Sequence, residues 1–462
     1  MLLLIGINAK FSHTALAVRS ISAFLKSKNI ENSFAEYNIN DPYESILYDI
    51  ILKKPDIIGF STYIWNITLI KRLISDLKQA LPELKIILGG PEAGYSETEF
   101  QNVDKIISGD GETSLYNYLT GENLIVDFCN LPFPYESLDS KKTVYYEASR
   151  GCPYRCSYCI SSLEKQLRFK DLETVKKDLQ FFFDNNVKKV KFIDRTFNIN
   201  ENAYEIFEFV ISNSKNTCVQ FEVKPELFSS KDLSLLKGAP DGLIQFEAGI
   251  QSLNLETLSA INRKNNIEKA FFNLKELIKA DNIRIHLDLI AGLPYEDKKS
   301  FIDGFNRVYA LNPHILQLGF LKLLNGTEIK KQADDYEIKW SCHPPYQVIS
   351  TKFLSIFDII ELKMSEHGLD TFSNKGFFKN SLEFLFLKNL ITPYEFFKLC
   401  GERLQHRPPL SFPDLFSLFY EIYTENNFVG NLEFLELLTI DFKIKNPNKP
   451  LFKILEQEKG PL

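Results

Sequence analysis

Short apolar segments alternate with amphipathic segments along most of this 462-residue chain, and this alternation restricts its fold more than any other feature. In the first 125 residues the apolar runs have the length of buried strands, and the runs between them repeat apolar residues at helical spacing. Strands separated by helices imply right-handed crossovers and a parallel sheet with helices on both faces. The sequence therefore predicts an open, doubly wound α/β domain over residues 1–125. Its predicted strands are Leu2–Ile7, Asp56–Ser61, Lys85–Leu88 and Lys105–Ser108, and its predicted helices are Thr14–Lys28 and Ile67–Leu81.

The alternation resumes after a linker at residues 126–143, in which prolines and polar residues break the periodicity. Residues 144–330 carry six further predicted strands, which fit a partial (β/α)6 barrel better than a second open sheet. Residues 331–462 show little strand signal and are predicted to form an all-α C-terminal extension, either a lid over the barrel mouth or a packed structural cap. The six strands are Tyr145–Ser149, Lys189–Ile193, Val219–Val223, Gly242–Gly249, Arg284–Ile290 and Ile315–Phe320, and the helices of the extension are Phe353–His367, Ser381–Leu390, Pro393–Leu404, Asp414–Glu425 and Asn431–Leu438.

The charge and hydropathy of the chain argue against two classes of partner. With 54 basic and 60 acidic side chains the net charge is -6, whereas a general nucleic-acid-binding protein usually shows a basic excess. No apolar run approaches the roughly 20 residues of a bilayer-spanning helix, and the short apolar start lacks the basic segment and cleavage site of a signal peptide. We therefore expect a cytoplasmic protein without nucleic-acid or membrane partners, whose seven cysteines are reduced.

Three of these cysteines, Cys152, Cys156 and Cys159, follow a predicted strand at CxxxCxxC spacing. A loop with this spacing can turn three thiolates toward one point, and thiolates are the ligands that iron–sulfur clusters prefer. Three ligands leave one iron of a cubane cluster open to a substrate or a cofactor. The alternatives are three buried structural cysteines or part of a zinc site, but zinc normally takes four ligands and no further Cys or His follows nearby. The spacing therefore favours a cluster.

The segment Glu147–Cys159 resembles the signature of the radical SAM superfamily. The resemblance implies a 4Fe-4S cluster on the three cysteines, with the amino and carboxylate groups of S-adenosylmethionine (SAM) on the open iron. One electron from the reduced cluster would break the S–C5′ bond of SAM and release a 5′-deoxyadenosyl radical, which the protein keeps from water. The resemblance also implies that Tyr158, between the last two cysteines, lies near the adenine.

Segments at the ends of the later strands extend this resemblance. Asp194 follows the second strand, where the family places groups that receive the amino end of SAM. Glu247 and Gln251 end the fourth strand, where similar proteins contact the ribose and the carboxylate, and Ile290 and Ala291 end the fifth, beside the adenine. Taken singly, Asp194 is typical of a turn or cap and Glu247 of a surface carboxylate. Their occurrence at successive strand ends in the expected order is what favours a SAM site.

The first 125 residues resemble the cobalamin-binding domain that precedes the radical SAM domain in one branch of the superfamily. The segments that carry this resemblance follow strands, and glycines there let backbone approach a flat corrin or its nucleotide tail. Many such domains carry a DxHxxG motif whose His ligates cobalt, but this motif is absent and His13 is not expected beneath the metal. The alternative is a generic open sheet that has kept the fold and lost the cofactor. The residues predicted to contact cobalamin are Thr62, Gly89, Gly90, Glu92, Gly109 and Gly111.

The resemblance predicts an enzyme that abstracts hydrogen from an unreactive carbon and uses cobalamin for methyl transfer or rearrangement. It also implies an external electron donor such as flavodoxin or ferredoxin, and a small-molecule or peptide substrate that the sequence does not identify. Two alternatives stay open: a radical SAM enzyme without cobalamin, and a non-enzymatic sensor that binds a cluster. A methylthiotransferase is disfavoured, because that branch needs further N-terminal cysteines and only Cys129 precedes the main motif.

Overall fold

The structure, a computed structural model, describes residues 1–96, 100–164 and 166–447. The chain forms two compact units, of which the first contains residues 1–248, 261–284 and 322–348 and the second contains residues 249–260, 285–321 and 349–462. The domain boundaries given by the sequence remain predictions.

The N-terminal part of the first unit is a five-stranded parallel sheet in the order β2-β1-β3-β4-β5. All four predicted strands and both predicted helices are present. The sequence-based prediction missed β2, an edge strand that reads Asn-Ser-Phe-Ala-Glu-Tyr-Asn. This strand has too few apolar residues to show the alternating pattern that marks a strand. The strands are β1 (Leu2–Asn8), β2 (Asn32–Asn38), β3 (Ile57–Ser61), β4 (Lys85–Gly89) and β5 (Lys105–Ile106), and the helices are α1 (Leu16–Ser27), α2 (Tyr43–Leu52), α3 (Ile67–Ala80), α4 (Pro91–Gly94) and α5 (Gly111–Thr120).

Two hydrophobic cores lie on opposite faces of this sheet. Side chains alternate along a strand, so Leu3 and Ile5 of β1 pack in the core that α2 and α3 complete. Leu2 and Leu4 pack in the other core, with residues of α1 and α5. The helices therefore cover both faces, and the predicted doubly wound domain is confirmed.

The second sheet has six strands in the order β13-β12-β11-β10-β9-β6, with β13 and β6 at its two ends, as in a partial barrel. The predicted strand Tyr145–Ser149 is divided in two, since β6 ends at Tyr146 and β7 pairs antiparallel with β8 in a small separate sheet. The strands of this region are β6 (Thr143–Tyr146), β7 (Ser149–Arg150), β8 (Arg168–Phe169), β9 (Lys189–Phe192), β10 (Cys218–Glu222), β11 (Ile244–Gln251), β12 (Arg284–Ala291), β13 (Ile315–Phe320), β14 (Lys339–Trp340) and β15 (Val348–Ser350). Its helices are α6 (Leu172–Asp184), α7 (Ala203–Asn213), α8 (Ser230–Lys237), α9 (Leu255–Ala260), α10 (Ile267–Ala280), α11 (Lys298–Tyr309) and α12 (Glu328–Lys331).

The remainder of the second unit is helical, as predicted. Its helices are α13 (Ile356–Leu369), α14 (Lys379–Leu387), α15 (Pro393–Leu404), α16 (Phe412–Glu425) and α17 (Asn431–Lys445), and a π-helical turn (Asp370–Asn374) continues α13. Helices α13 and α15 touch through their backbones at Gly368 and Gly401. A Cβ at Gly368 would lie 2.0 Å from the Phe397 carbonyl oxygen, and one at Gly401 would lie 1.9 Å from that of Met364.

Within the described residues, no helix has both the length and the apolar character needed to cross a bilayer.

Candidate functional site

A buried carboxylate, that of Asp194, holds the two residues that precede the cysteine loop, which is defined as residues 151–159. Asp194 lies just beyond β9 and is 1% exposed. Its Oδ2 accepts a hydrogen bond of 3.1 Å from the Ala148 backbone N–H, and its Oδ1 accepts one of 2.6 Å from the Ser149 hydroxyl. These bonds hold the chain at the point where it leaves β6, which is the reason that the predicted single strand is divided. Both carboxylate oxygens of Asp194 therefore bind residues just before the loop.

The three cysteines carry free thiols on this one loop. Cys152 and Cys156 are buried and Cys159 is half-buried, and the Sγ of Cys152 lies 4.0 Å from the Thr196 hydroxyl. In the described part of the chain, no group of three or more His, Cys, Asp or Glu side chains is arranged to hold a metal ion. A cubane differs from a single ion because its thiolates bind three separate irons. An all-thiol donor set on one loop, with two of its three sulfurs on buried residues, fits such a cluster.

The backbone of the loop is held from inside and from outside. The Arg155 guanidinium donates hydrogen bonds to the loop's own carbonyl oxygens, at 2.6 Å to Cys152 and 3.2 Å to Tyr154. From outside, the Ser157 N–H donates to the Ile261 carbonyl at 2.9 Å, and the Asn262 side-chain amide donates to the Arg155 carbonyl at 3.0 Å. The backbone of the cysteine loop is thus held by hydrogen bonds from one of its own side chains and from residues 261–262.

Arg263 follows directly after this contact and reaches the sulfur of a cysteine. Its Nη1 lies 3.8 Å from Cys156 Sγ and 3.2 Å from the Tyr158 hydroxyl. Burial raises the pKa of the Tyr158 phenol, against the opposing effect of the nearby Arg263 guanidinium. Sequence reasoning missed Arg263 and Asn262, because they lie about a hundred residues beyond the motif and match no pattern of their own.

Strand pairing places polar side chains in rows on one face of the second sheet. Lys191 is in register with Gln220 on the neighbouring strand, and Glu222 with Glu247. The Oε2 of Glu247 accepts hydrogen bonds from Lys191 Nζ and Gln220 Nε2, both at 2.8 Å. The predicted SAM residue Glu247 therefore lies on a polar surface formed by β9, β10 and β11.

The predicted SAM residues Gln251, Ile290 and Ala291 belong to the second unit. Gln251 has a φ of 71°, and its Oε1 is buried without a hydrogen-bond partner among the described residues. A buried acceptor without a donor costs free energy, and a bound group that donates a hydrogen bond would satisfy it. Ile290 is half-buried near the end of β12, and the buried Ala291 accepts a 2.9 Å hydrogen bond from the Leu321 N–H.

The predicted cobalamin residues after β3 and β4 contact one another. Thr62 is fully buried, donates a 2.7 Å hydrogen bond to the Gly89 carbonyl and accepts one of 3.0 Å from the Ala93 N–H. Gly90 has a φ of 95°, and a Cβ there would lie 2.6 Å from the Thr62 carbonyl oxygen. Glu92 is buried and accepts a hydrogen bond from the Tyr346 hydroxyl. The glycine requirement at position 90 thus comes from the protein's own backbone.

The remaining predicted cobalamin segment, Gly109–Glu112, has open space at one glycine and ion pairs at its carboxylates. A Cβ at Gly109 would meet no atom within 4 Å, so a flat ligand has room to approach the backbone there. Gly111 begins α5 and faces Ile21, whose Cδ1 a Cβ would meet at 3.0 Å. Arg150 binds Asp110 at 2.9 Å and Glu112 at 3.1 Å. Burial opposes ionisation of Glu112, but the Arg150 guanidinium outweighs it and holds the pKa of this carboxyl below its usual value.

The His13 side chain contacts Tyr145. Its Nδ1 lies 2.9 Å from the Tyr145 hydroxyl, and its backbone forms a parallel bridge with Thr143. Burial, followed by the charge of Lys10, lowers the pKa of its imidazole. Further along the same edge, Trp65 is 45% exposed and stacks on Tyr63 with ring centroids 4.3 Å apart.

The chain thus combines a five-stranded doubly wound domain with a second, six-stranded sheet that has a three-cysteine loop after its first strand. Residues 2–119 match the family described as B12 binding domain, and residues 146–307 match the radical SAM superfamily. Residues 334–461 match a family described as "Protein of unknown function (DUF4080)". The chain thus carries an N-terminal segment that matches B12 binding domains and a central segment that matches the radical SAM superfamily. These two domains imply a 4Fe-4S cluster, SAM and cobalamin as cofactors.

Curated relatives share this combination over part of their length. The chain is 23% identical over 310 residues to the 2-(S-pantetheinyl)-carbapenam-3-carboxylate methyltransferase of Streptantibioticus cattleyicolor, covering 56% of this chain and 46% of that protein. It is 23% identical over 323 residues to the cobalamin-dependent radical SAM methyltransferase TokK of Streptomyces tokunonensis, covering 58% of this chain and 47% of that one. The chain thus spans about half the length of these relatives.

Solved structures share the fold. The radical SAM methyltransferase TsrM of Kitasatospora setae, with cobalamin and a [4Fe-4S] cluster bound, matches with a TM-score of 0.61 at 13% identity, over 75% of this chain and 82% of that one. The cobalamin-dependent SAM radical enzyme OxsB, with aqua-cobalamin bound, matches with a TM-score of 0.64 at 13% identity, over 100% of this chain and 81% of that one. The predicted fold class is confirmed.

Proposed function

We propose that the chain is a cobalamin-dependent radical SAM enzyme that catalyses methyl transfer to, or a rearrangement at, an unactivated carbon of its substrate. The observation that carries this proposal is the three-cysteine loop, which Asp194 holds at its start and residues 261–262 hold at its centre, in a chain that also has a B12 binding domain. Both curated relatives described above are named as methyltransferases, which favours methyl transfer.

The cysteines and the strand ends have separate roles in this proposal. Cys152, Cys156 and Cys159 would hold the cluster, and their number would leave one iron open to SAM. The chemistry supplied there would be one electron from the bound cluster for cleavage of the S–C5′ bond and a methyl group from bound cobalamin. Gln251 offers SAM an unsatisfied buried acceptor. The other proposed contacts to SAM are Tyr158, Glu247, Ile290 and Ala291.

For Asp194 we propose a role other than the direct contact with SAM that the family resemblance implies. Its two oxygens already accept hydrogen bonds from Ala148 and Ser149. We therefore propose that it positions the cysteine loop and acts on SAM only through that loop. This reassignment rests on hydrogen bonds that occupy both of its oxygens.

The N-terminal domain supplies the proposed cobalamin site. Backbone at Gly89, Gly109 and Gly111 lies at or beyond the carboxyl ends of strands, where open α/β sheets bind ligands. His13 bonds to Tyr145, which supports a cobalt without a protein His beneath it. Thr62, Gly90 and Glu92 shape this edge through contacts within the chain. The proposal includes a cytoplasmic location and an external electron donor such as flavodoxin or ferredoxin.

Anaerobic reconstitution of the wild type and two variants tests the cluster. We expect about four irons per chain and reductive cleavage of SAM to 5′-deoxyadenosine in the wild type. Cys156→Ala should lose both, because two thiolates hold a cubane poorly, whereas the exposed Cys342→Ala should retain both. Iron and 5′-deoxyadenosine are measured for each variant. SAM cleavage at the wild-type rate in Cys156→Ala would refute the assignment.

Corrin absorbance that remains with the chain after gel filtration tests the second cofactor. A chain that excludes cobalamin yet cleaves SAM is a radical SAM enzyme without cobalamin. A reconstituted chain that binds no SAM by calorimetry is a cluster-binding sensor.

A further inference from the structure

Arg263 contacts the cysteine loop at a sulfur atom. It lies in the segment before α10, and its Nη1 is within hydrogen-bonding distance of Cys156 Sγ, at 3.8 Å, and of the Tyr158 hydroxyl, at 3.2 Å. Both partners belong to the CxxxCxxC motif. Arg263 therefore approaches the place of the proposed cluster from outside the motif.

The contact is fixed by the backbone on either side of it. Ser157, next to Cys156, donates its N–H to the Ile261 carbonyl at 2.9 Å, and Asn262 donates to the Arg155 carbonyl at 3.0 Å. Directly after Arg263, the Lys264 carbonyl accepts a 2.6 Å hydrogen bond from Lys224 Nζ. The segment 261–264 is thus held by three hydrogen bonds. These bonds fix the backbone that places the Arg263 guanidinium next to Cys156.

A guanidinium next to a cluster sulfur has a predictable electronic effect. Arginine is charged at every accessible pH and cannot give up its proton to the thiolate. A hydrogen bond to a ligating sulfur withdraws electron density from it, and the positive charge stabilises the additional electron of the reduced cluster. Hydrogen bonds to the sulfurs are among the factors that set iron–sulfur reduction potentials.

We propose that Arg263 is a positioning residue that raises the reduction potential of the cluster held by Cys152, Cys156 and Cys159, through its hydrogen bond to Cys156 Sγ. This inference rests on the proposed function, because it needs a cluster on these cysteines. It assigns to a residue outside the motif the task of making the cluster reducible by a physiological electron donor.

The test is a potentiometric titration of the reconstituted full-length chain, followed by the EPR signal of the reduced cluster. At a fixed potential, Arg263→Met should show at least a tenfold lower ratio of reduced to oxidised cluster, a shift of about 59 mV to more negative potential for one electron. Arg263→Gln keeps an N–H donor without the charge, and Arg263→Lys keeps the charge without the planar guanidinium. The reduction potentials of both variants should therefore lie between those of Arg263→Met and the wild type. The exposed Arg284→Met removes the same charge elsewhere in the first unit and should match the wild type.

The outcomes separate this inference from the proposed function. A wild-type chain that takes up no cluster removes the basis for both. If the wild type assembles a cluster and the Arg263 variants that also assemble one keep the wild-type potential, the role of Arg263 is wrong and the proposed function stands. If none of the three variants assembles a cluster, Arg263 is needed to form the loop and the inference is again overturned.

Discussion

At the scale of single residues, the structure uses buried polar groups to shape the loop that carries the cysteines. Asp194 binds two successive residues before the loop, and Arg155 binds carbonyls within it. A buried carboxylate is retained where its hydrogen bonds offset the loss of hydration. The protonation of Asp194 consequently affects the stability of the fold.

We predict that Asp194 makes stability depend on pH. Burial raises its pKa to about 7, against the hydrogen bonds from Ser149 and Ala148. Because this lies above the value near 4 of an unfolded aspartate, the stabilisation is complete below about pH 4 and is lost as the pH rises through about 7. An asparagine at position 194 stays neutral, and its amide can accept from the Ala148 N–H and donate to the Ser149 hydroxyl. In Asp194→Asn the unfolding free energy should therefore lack the decrease with pH that Asp194 causes, which is at most about 1.4 kcal/mol per pH unit.

The measurement is urea unfolding of the cofactor-free wild type and Asp194→Asn at several pH values across this window. A difference in unfolding free energy between the two chains that stays constant with pH would contradict the prediction.

At the scale of elements, the turn between β7 and the cysteines depends on a glycine. Gly151 has a φ of 94°, and a Cβ there would lie 2.2 Å from the Gln166 carbonyl oxygen. The chain therefore passes Gln166 too closely for any side chain at this position. A change here moves the first cysteine of the loop relative to the other two.

We predict that Gly151→Ala lowers the iron content of the reconstituted chain to less than half of the wild-type value. The Gln166 carbonyl belongs to the backbone, so room for the added Cβ is made only if the loop itself moves. Gly242→Ala is the matched control, since Gly242 also has a positive φ, of 68°, but its Cβ would meet nothing within 4 Å. The control should cost about 1 kcal/mol of stability and no iron. Equal iron loss in the two variants, or none in Gly151→Ala, would show that the close approach is unimportant.

At the scale of the whole molecule, Arg150 ties the N-terminal sheet to the start of the cysteine loop. It binds Asp110 and Glu112 from the beginning of α5, and Glu147 just beyond β6. Arg168 of β8 also binds Asp110, at 2.6 Å. The part of the chain that matches a B12 binding domain and the part that carries the cysteines thus share one ion-pair network.

We predict that Arg150→Met destabilises the chain by about 3–5 kcal/mol, because it leaves the buried Glu112 without its counter-charge. Adding Glu112→Gln to this variant should restore part of the loss, since the double variant has no unpaired charge at this position. Chemical unfolding of the wild type, both single variants and the double variant measures the coupling. Additive effects of the two substitutions would mean that Arg150 and Glu112 do not stabilise each other.

Local patterns in the sequence determined much of this protein: the alternation of strands and helices, the helical C-terminal extension, and the three cysteines on one loop. These features follow from side-chain periodicity and from spacing within a few residues, which a sequence displays directly. The inward turn of Asp194 toward Ala148, the reach of Arg263 to Cys156 and the ion pairs of Arg150 were decided only by the tertiary structure. The contacts of Asp194 with Ala148, of Arg263 with Cys156 and of Arg150 with Asp110 and Glu112 join residues about 40 or more positions apart, and no local pattern encodes which distant atom a side chain meets once the sheets are packed.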